Sequence, residues 1–202
     1  MIELIVAMGL FTLFVSLLVG GIVGFTRATT ESRLDAQTSS AVGAALKRLE
    51  KSARYADAIN YPGVVSGKAY VEWRVDAVSA PTGVTTCYQL RYTASARTLA
   101  LRSWASGSSP AAATWTVILS GVRGPASTSY PFMTIAAGAA SNYQGLTVSV
   151  ATGLDADTGT TTSSTVYAKN SSSDSTSNAT ASSGQSLNPI CAVSGSLATV
   201  RP

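Results

Sequence analysis

Residues 4–26 read LIVAMGLFTLFVSLLVGGIVGFT, 23 residues without a charge, bracketed by Glu3 and Arg27. A helix of about 20 apolar residues crosses the hydrocarbon core of a bilayer, so this run is long enough to span. A cleaved signal peptide has a basic region before a shorter apolar run and a small-residue cleavage site after it. Here an acid precedes the run and no AxA-like site follows. The stretch predicts an N-terminal membrane anchor.

The chain beyond it, RATTESRLDAQTSSAVGAALKRLEKSARYADAI, keeps apolar or small residues at Leu34, Thr38, Ala41, Val42, Ala45, Leu46, Leu49 and Ala53. Spacings of three and four put these on one helical stripe. With no proline between Glu3 and Tyr61, the two stretches predict one helix of about 55 residues, about 80 Å at 1.5 Å per residue. The far half of such a helix must pack its stripe on something, and the rest of the chain is the nearest candidate.

After Pro62 the period changes to alternation. AYVEWRV sets Val71, Trp73 and Val75 against Tyr70, Glu72 and Arg74, and CYQLRYT and TLALRSW, joined by the short ASAR, predict a hairpin. TWTVILS and GLTVSVA add two more runs. The expected fold class is α+β: a long helix packed on a mostly antiparallel sheet of four or five strands. From Thr158 to Ser186, 17 of 29 residues are Ser or Thr, which predicts a loop rather than core. The chain therefore divides into an apolar half-helix (1–26), an amphipathic half-helix (27–60) and a sheet region with its C-terminal loop (61–202).

Composition narrows the chemistry. At 202 residues, with 14 Lys and Arg against 10 Asp and Glu, the chain has room for one ordinary core and an appendage. It has no histidine, so a His-dependent triad or a His-ligated zinc site is excluded. Cys87 and Cys191 form neither a CxxC pair nor a four-ligand metal spacing. One disulfide is their leading use, with two buried free thiols the alternative. Such a bridge closes a loop of about 100 residues, is worth about 4 to 5 kcal/mol in the chain-entropy model, and belongs outside the reducing cytosol. The net charge of +4 permits nucleic-acid binding without implying it.

An acid ahead of a membrane-length apolar run is costly and calls for a reason. The opening MIELIVAMGLFTLFVSLLVGGIVGF, and Ile2-Glu3-Leu4 above all, resembles the N-terminus of the type IV pilin-like family, which includes pilins and the pseudopilins of type II secretion. The family's general plan is also a long helix, a sheet and a disulfide-bounded C-terminal loop. The resemblance implies cleavage by a prepilin peptidase, methylation of the new N-terminus, residence in the inner membrane, and polymerisation with identical subunits or other pilins by assembly machinery held on other proteins. It implies no enzymatic activity and no cofactor. The family is cut after a glycine and usually has an aromatic residue near the new terminus. On that pattern a chain opening at Met1 either lacks residues before it or carries Met1 as its first mature residue.

In such filaments the apolar helices bundle, so the resemblance implies that Glu3 is buried against a neighbour's N-terminal ammonium, here that of Met1. An unpaired buried charge costs several kcal/mol, so this pairing penalises wrong registers; the plainer reading leaves Glu3 at the membrane interface. Gly20, Gly21 and Gly24 each weaken a helix interior by about 1 kcal/mol relative to alanine. Helices of this family unwind near this depth on assembly, usually near a proline that is missing here. The same spacing of Gly20 and Gly24 equally fits a GxxxG packing face.

Weaker signals remain. Asp155 and Asp157 beside Gly159 are a candidate calcium turn without the other EF-hand ligands. Asn170-Ser-Ser and Asn178-Ala-Thr match the N-glycosylation pattern. Arg91, Arg97, Arg102, Arg123 and Lys68 among Tyr88, Tyr92 and Trp104 would contact a DNA backbone if several shared one face. Three functions follow: a structural subunit of an extracellular type IV pilus, a J-type minor pseudopilin of type II secretion, or a membrane-anchored adhesin that never polymerises.

Overall fold

The computed structural model describes residues 2–124, 131–152, 160–193, 196–198 and 200–202. One helix, α1, runs without interruption from Ile2 to Ala53, 52 residues in all. The chain forms two compact units that divide within α1, residues 1–41 and residues 42–202. Glu3 lies in the first turn of α1 and Lys51 in the last, each with the sign that the helix dipole favours.

The first unit is helix alone. Its large apolar side chains from Ile2 to Phe25 are all exposed, from Ile2 at 77 % to Val15 at 40 %. The hydroxyls of its apolar stretch are turned inward onto the backbone: Thr12 Oγ1 donates to Gly9 O at 2.9 Å, Ser16 Oγ to Leu13 O at 2.8 Å and Thr26 Oγ1 to Ile22 O at 2.8 Å. A hydroxyl bonded to its own helix no longer needs water, so these residues add little polarity to the surface.

In the second unit the last three turns of α1 bury Val42, Ala45, Leu49 and Ala53, the predicted stripe, against a core that includes Val71, Trp73, Leu90 and Leu99. These come from a six-stranded antiparallel sheet built from β1 (Ala58–Ile59), β2 (Gly63–Val65), β3 (Lys68–Val75), β4 (Thr86–Thr93), β5 (Thr98–Ala105) and β6 (Thr116–Ser120). Its order is β1-β3-β4-β5-β6, with β2 also on β3. The hairpin predicted from CYQLRYT and TLALRSW is present in register from Thr86↔Ala105 to Thr93↔Thr98. Ser66 and Gly67, both with positive φ, make the two-residue turn between β2 and β3, the conformation that matches strand twist in a tight hairpin.

Two expectations are corrected. The strands do not form a single sheet of four or five: GLTVSVA becomes β9 (Gly145–Thr152) in a second sheet with β7 (Val122–Arg123), β8 (Phe132–Ile135) and β10 (Thr160–Tyr167). The stretch expected as loop is in part that last strand, paired with β9 along all eight of its residues. Threonine is a good strand former, and here Ser and Thr pair across the sheet: Thr147 with Thr165 and Ser149 with Ser163, each at 2.8 Å. Phe132, Leu146, Val148 and Val150 of this sheet join the same core as α1 and the first sheet.

Candidate functional site

The surface with the most direct functional meaning is the apolar half of α1, a candidate assembly or membrane face. By length and composition, Ile2–Thr30 can cross a membrane, with a mean hydropathy of 2.5 and nothing in it buried. Glu3 is exposed on it. Helix continues through Gly20, Gly21 and Gly24, and a Cβ at any of them would meet open space. Their value for close packing would therefore be realised against another molecule and not inside this chain. Met1, the residue expected to pair with Glu3, lies outside the described residues.

The second unit is held together by long-range polar contacts. Cys87 and Cys191 are disulfide-bonded across 104 residues, with Cα atoms 5.8 Å apart. Between them the chain forms a strap over the segment that follows α1. Ser175 Oγ donates to Asp57 O at 2.6 Å, Ser177 Oγ to Ile59 O at 2.7 Å, and Tyr61 N donates to Ser186 Oγ at 2.9 Å. The hydroxyl side chains thus satisfy backbone groups that no strand reaches.

Both candidate glycosylation residues take part in that strap. Asn170 Nδ2 donates to Tyr55 O at 3.0 Å and Ser79 Oγ at 2.8 Å. Asn178 grips the backbone of Ala137 with both ends of its amide, accepting at 2.8 Å and donating at 2.9 Å. A glycan would need the same nitrogens, so the structure gives each asparagine a folding role. Among the described residues no group of three or more His, Cys, Asp or Glu could hold a metal ion, and the calcium candidates Asp155 and Asp157 lie outside those residues.

The face of β3–β4–β5 turned away from α1 is also covered. Tyr70 and Glu72 are fully buried and Arg102 is 5 % exposed. Glu72 pairs with Arg201 at 2.6 Å and accepts from Asn60 and Gln89, while Gln89 in turn accepts from Arg102 Nε at 2.8 Å. Residues 200–202 close over this network, with Val200 O accepting from Gln89 at 2.9 Å and from Arg102 at 2.7 Å. Gly63 leaves the space that Arg201 fills, since a Cβ there would collide with the guanidinium.

Arg91 and Arg102 stack on Trp115 at 4.0 and 4.4 Å. Burial, then the charge of Arg91, lower the Arg102 pKa, while burial is the main cause raising that of Tyr70. Arg102 and the buried Trp104 are thereby withdrawn from any DNA-contacting surface. The partners in this network stand up to 140 residues apart, so no local sequence pattern announces them. No family model, curated protein or solved structure matches the chain.

Proposed function

We propose that this chain is a structural subunit of an extracellular type IV pilus that polymerises through the apolar half of α1 and resides in the cell membrane before assembly. The observation that carries this reading is the all-round exposure of large apolar residues from Ile2 to Phe25 on an unbroken helix. An amphipathic helix needs one apolar neighbour, whereas a helix apolar on every side needs an apolar environment on every side. Lipid supplies that before assembly, and a bundle of identical helices supplies it afterwards.

Glu3 distinguishes a polymer from a plain anchor. A carboxylate at the start of the apolar run is unfavourable in lipid but is stabilised by a neighbour's cation in a bundle, where it fixes the register. The bridged, strapped sheet unit suits export, because a disulfide persists outside the cytosol.

Surface filaments sheared from cells and separated by electrophoresis test the proposal. This chain is expected as the main band. Trace amounts confined to filament ends or to the periplasm would favour a J-type pseudopilin. Absence from filaments, with all of the chain monomeric in the membrane, would favour a non-polymerising adhesin.

A further inference from the structure

Within the second unit, a cavity of about 330 Å³ opens between the end of α1 and the far end of β5, past the point where β6 stops covering it. That volume is at the lower end of small-ligand sites. Its three sides differ in chemistry. Arg48 and Lys51 stand on the α1 side, Val75, Leu101 and the ring of Tyr88 supply apolar surface, and Ser103, Thr114 and Thr116 bring hydroxyls on the opposite side.

The charges and hydroxyls are uncommitted. Neither Arg48 nor Lys51 has an ion-pair partner among the described residues, and Glu50 between them is engaged by Arg54. The side chains of Ser103, Thr114 and Thr116, and the Tyr88 phenol, make no hydrogen bond among the described residues. The Tyr88 ring is fixed from behind by stacking on Trp73, with centroids 5.7 Å apart and planes 5° from parallel. Among the described residues no carboxylate lines the cavity.

We infer that this cavity binds an acidic saccharide unit, a sugar ring that bears a carboxylate. The carboxylate would meet Arg48 and Lys51, the C–H face of the ring would lie on Tyr88, and its hydroxyls would exchange hydrogen bonds with Ser103, Thr114 and Thr116. A neutral sugar leaves both cations unused. A simple anion leaves the aromatic floor and the hydroxyl wall unused. The site lies within one folded unit and does not depend on polymerisation.

The test uses the full chain in a sugar-free detergent, titrated by NMR with methyl β-glucuronide, methyl β-glucoside and tetraglutamate. The glucuronide is expected to bind at least about tenfold more tightly than the glucoside, a difference of about 1.4 kcal/mol. Arg48→Ala with Lys51→Ala should abolish that preference without lowering Tm, because both side chains are exposed. Thr116→Val should weaken both sugars alike. No glucuronide binding, equal affinity for the two sugars, or a preference that survives the double substitution would overturn the inference. Tetraglutamate binding as tightly as the glucuronide would overturn it too, by assigning the cavity to acidic peptides.

Discussion

The two halves of α1 share one backbone and solve opposite problems. From Ile2 to Phe25 the helix presents apolar side chains in every direction and buries none of them. From Val42 to Ala53 it buries Val42, Ala45, Leu49 and Ala53, each 4 % exposed or less, with Leu46 half-buried against the same core. The second half is complete within its own fold, since a stripe needs only a sheet beneath it. The first half has no such partner within its own unit, where its large apolar residues from Ile2 to Phe25 are exposed, and the proposed function gives it lipid and then neighbouring helices. The same secondary structure thus encodes a folding surface in one place and an association surface in the other, and the distribution of apolar residues around the axis makes the difference.

On the proposed reading as a filament subunit, Glu3→Leu should give the largest effect, because each contact of a filament is repeated in every subunit. Filaments are expected to be few or absent in electron micrographs of surface preparations. The protein should still insert in the membrane, and its sheet unit should keep its Tm, since Glu3 is exposed and belongs to the other unit. Normal filament yield would remove Glu3 from the assembly chemistry.

A matched pair of substitutions tests the comparison on one helix. Leu49→Ala removes a side chain 2 % exposed in the core, and core truncations of this kind cost about 2 to 5 kcal/mol. Leu10→Ala truncates a residue 65 % exposed and should leave unfolding of the sheet unit unchanged. Tryptophan fluorescence in a denaturant titration reads both, because Trp73, Trp104 and Trp115 all belong to the second unit. Equal destabilisation by the two would show that the halves are not independent.

The sequence was most legible where the pattern was local. Three- and four-residue spacing and the lack of proline indicated about 55 residues of helix, against 52 in α1, and the stripe from Val42 to Ala53 is buried as expected. Alternation in AYVEWRV separated Val71, Trp73 and Val75, which the fold buries in its core, from Tyr70, Glu72 and Arg74. It gave no sign that Tyr70 and Glu72 are buried as well, because alternation tells two faces apart but cannot say that both are covered. The cover is Arg201 with its neighbours, more than a hundred residues away. Strand β10 was hidden for another reason: its hydroxyls occupy both faces, so no polarity contrast marks it as a strand. The cavity beside Arg48 was equally illegible, since it exists only where β5 outruns β6.

The smallest expected effect separates the two regions by alkali. Residues 2–41 contain no tyrosine, whereas in the second unit burial raises the phenol pKa of both Tyr70 and Tyr88 above the ordinary 10.0. In the unfolded chain these phenols lose their protons near pH 10, while the folded chain still holds them. The unfolded state then binds fewer protons, so stability must fall as pH rises. The contribution is fully present below about pH 10 and is lost as pH climbs through the raised folded values. Tyr88→Phe removes one of the two contributions and keeps the ring that stacks on Trp73. The variant should therefore lose less stability than the parent between about pH 9 and 11, read as a shallower fall of denaturation midpoint with pH. Helicity of the apolar half in detergent should not change over the same range. Parallel slopes for the two proteins would mean that Tyr88 titrates alike in the folded and unfolded states, and that burial under α1 does not set its chemistry.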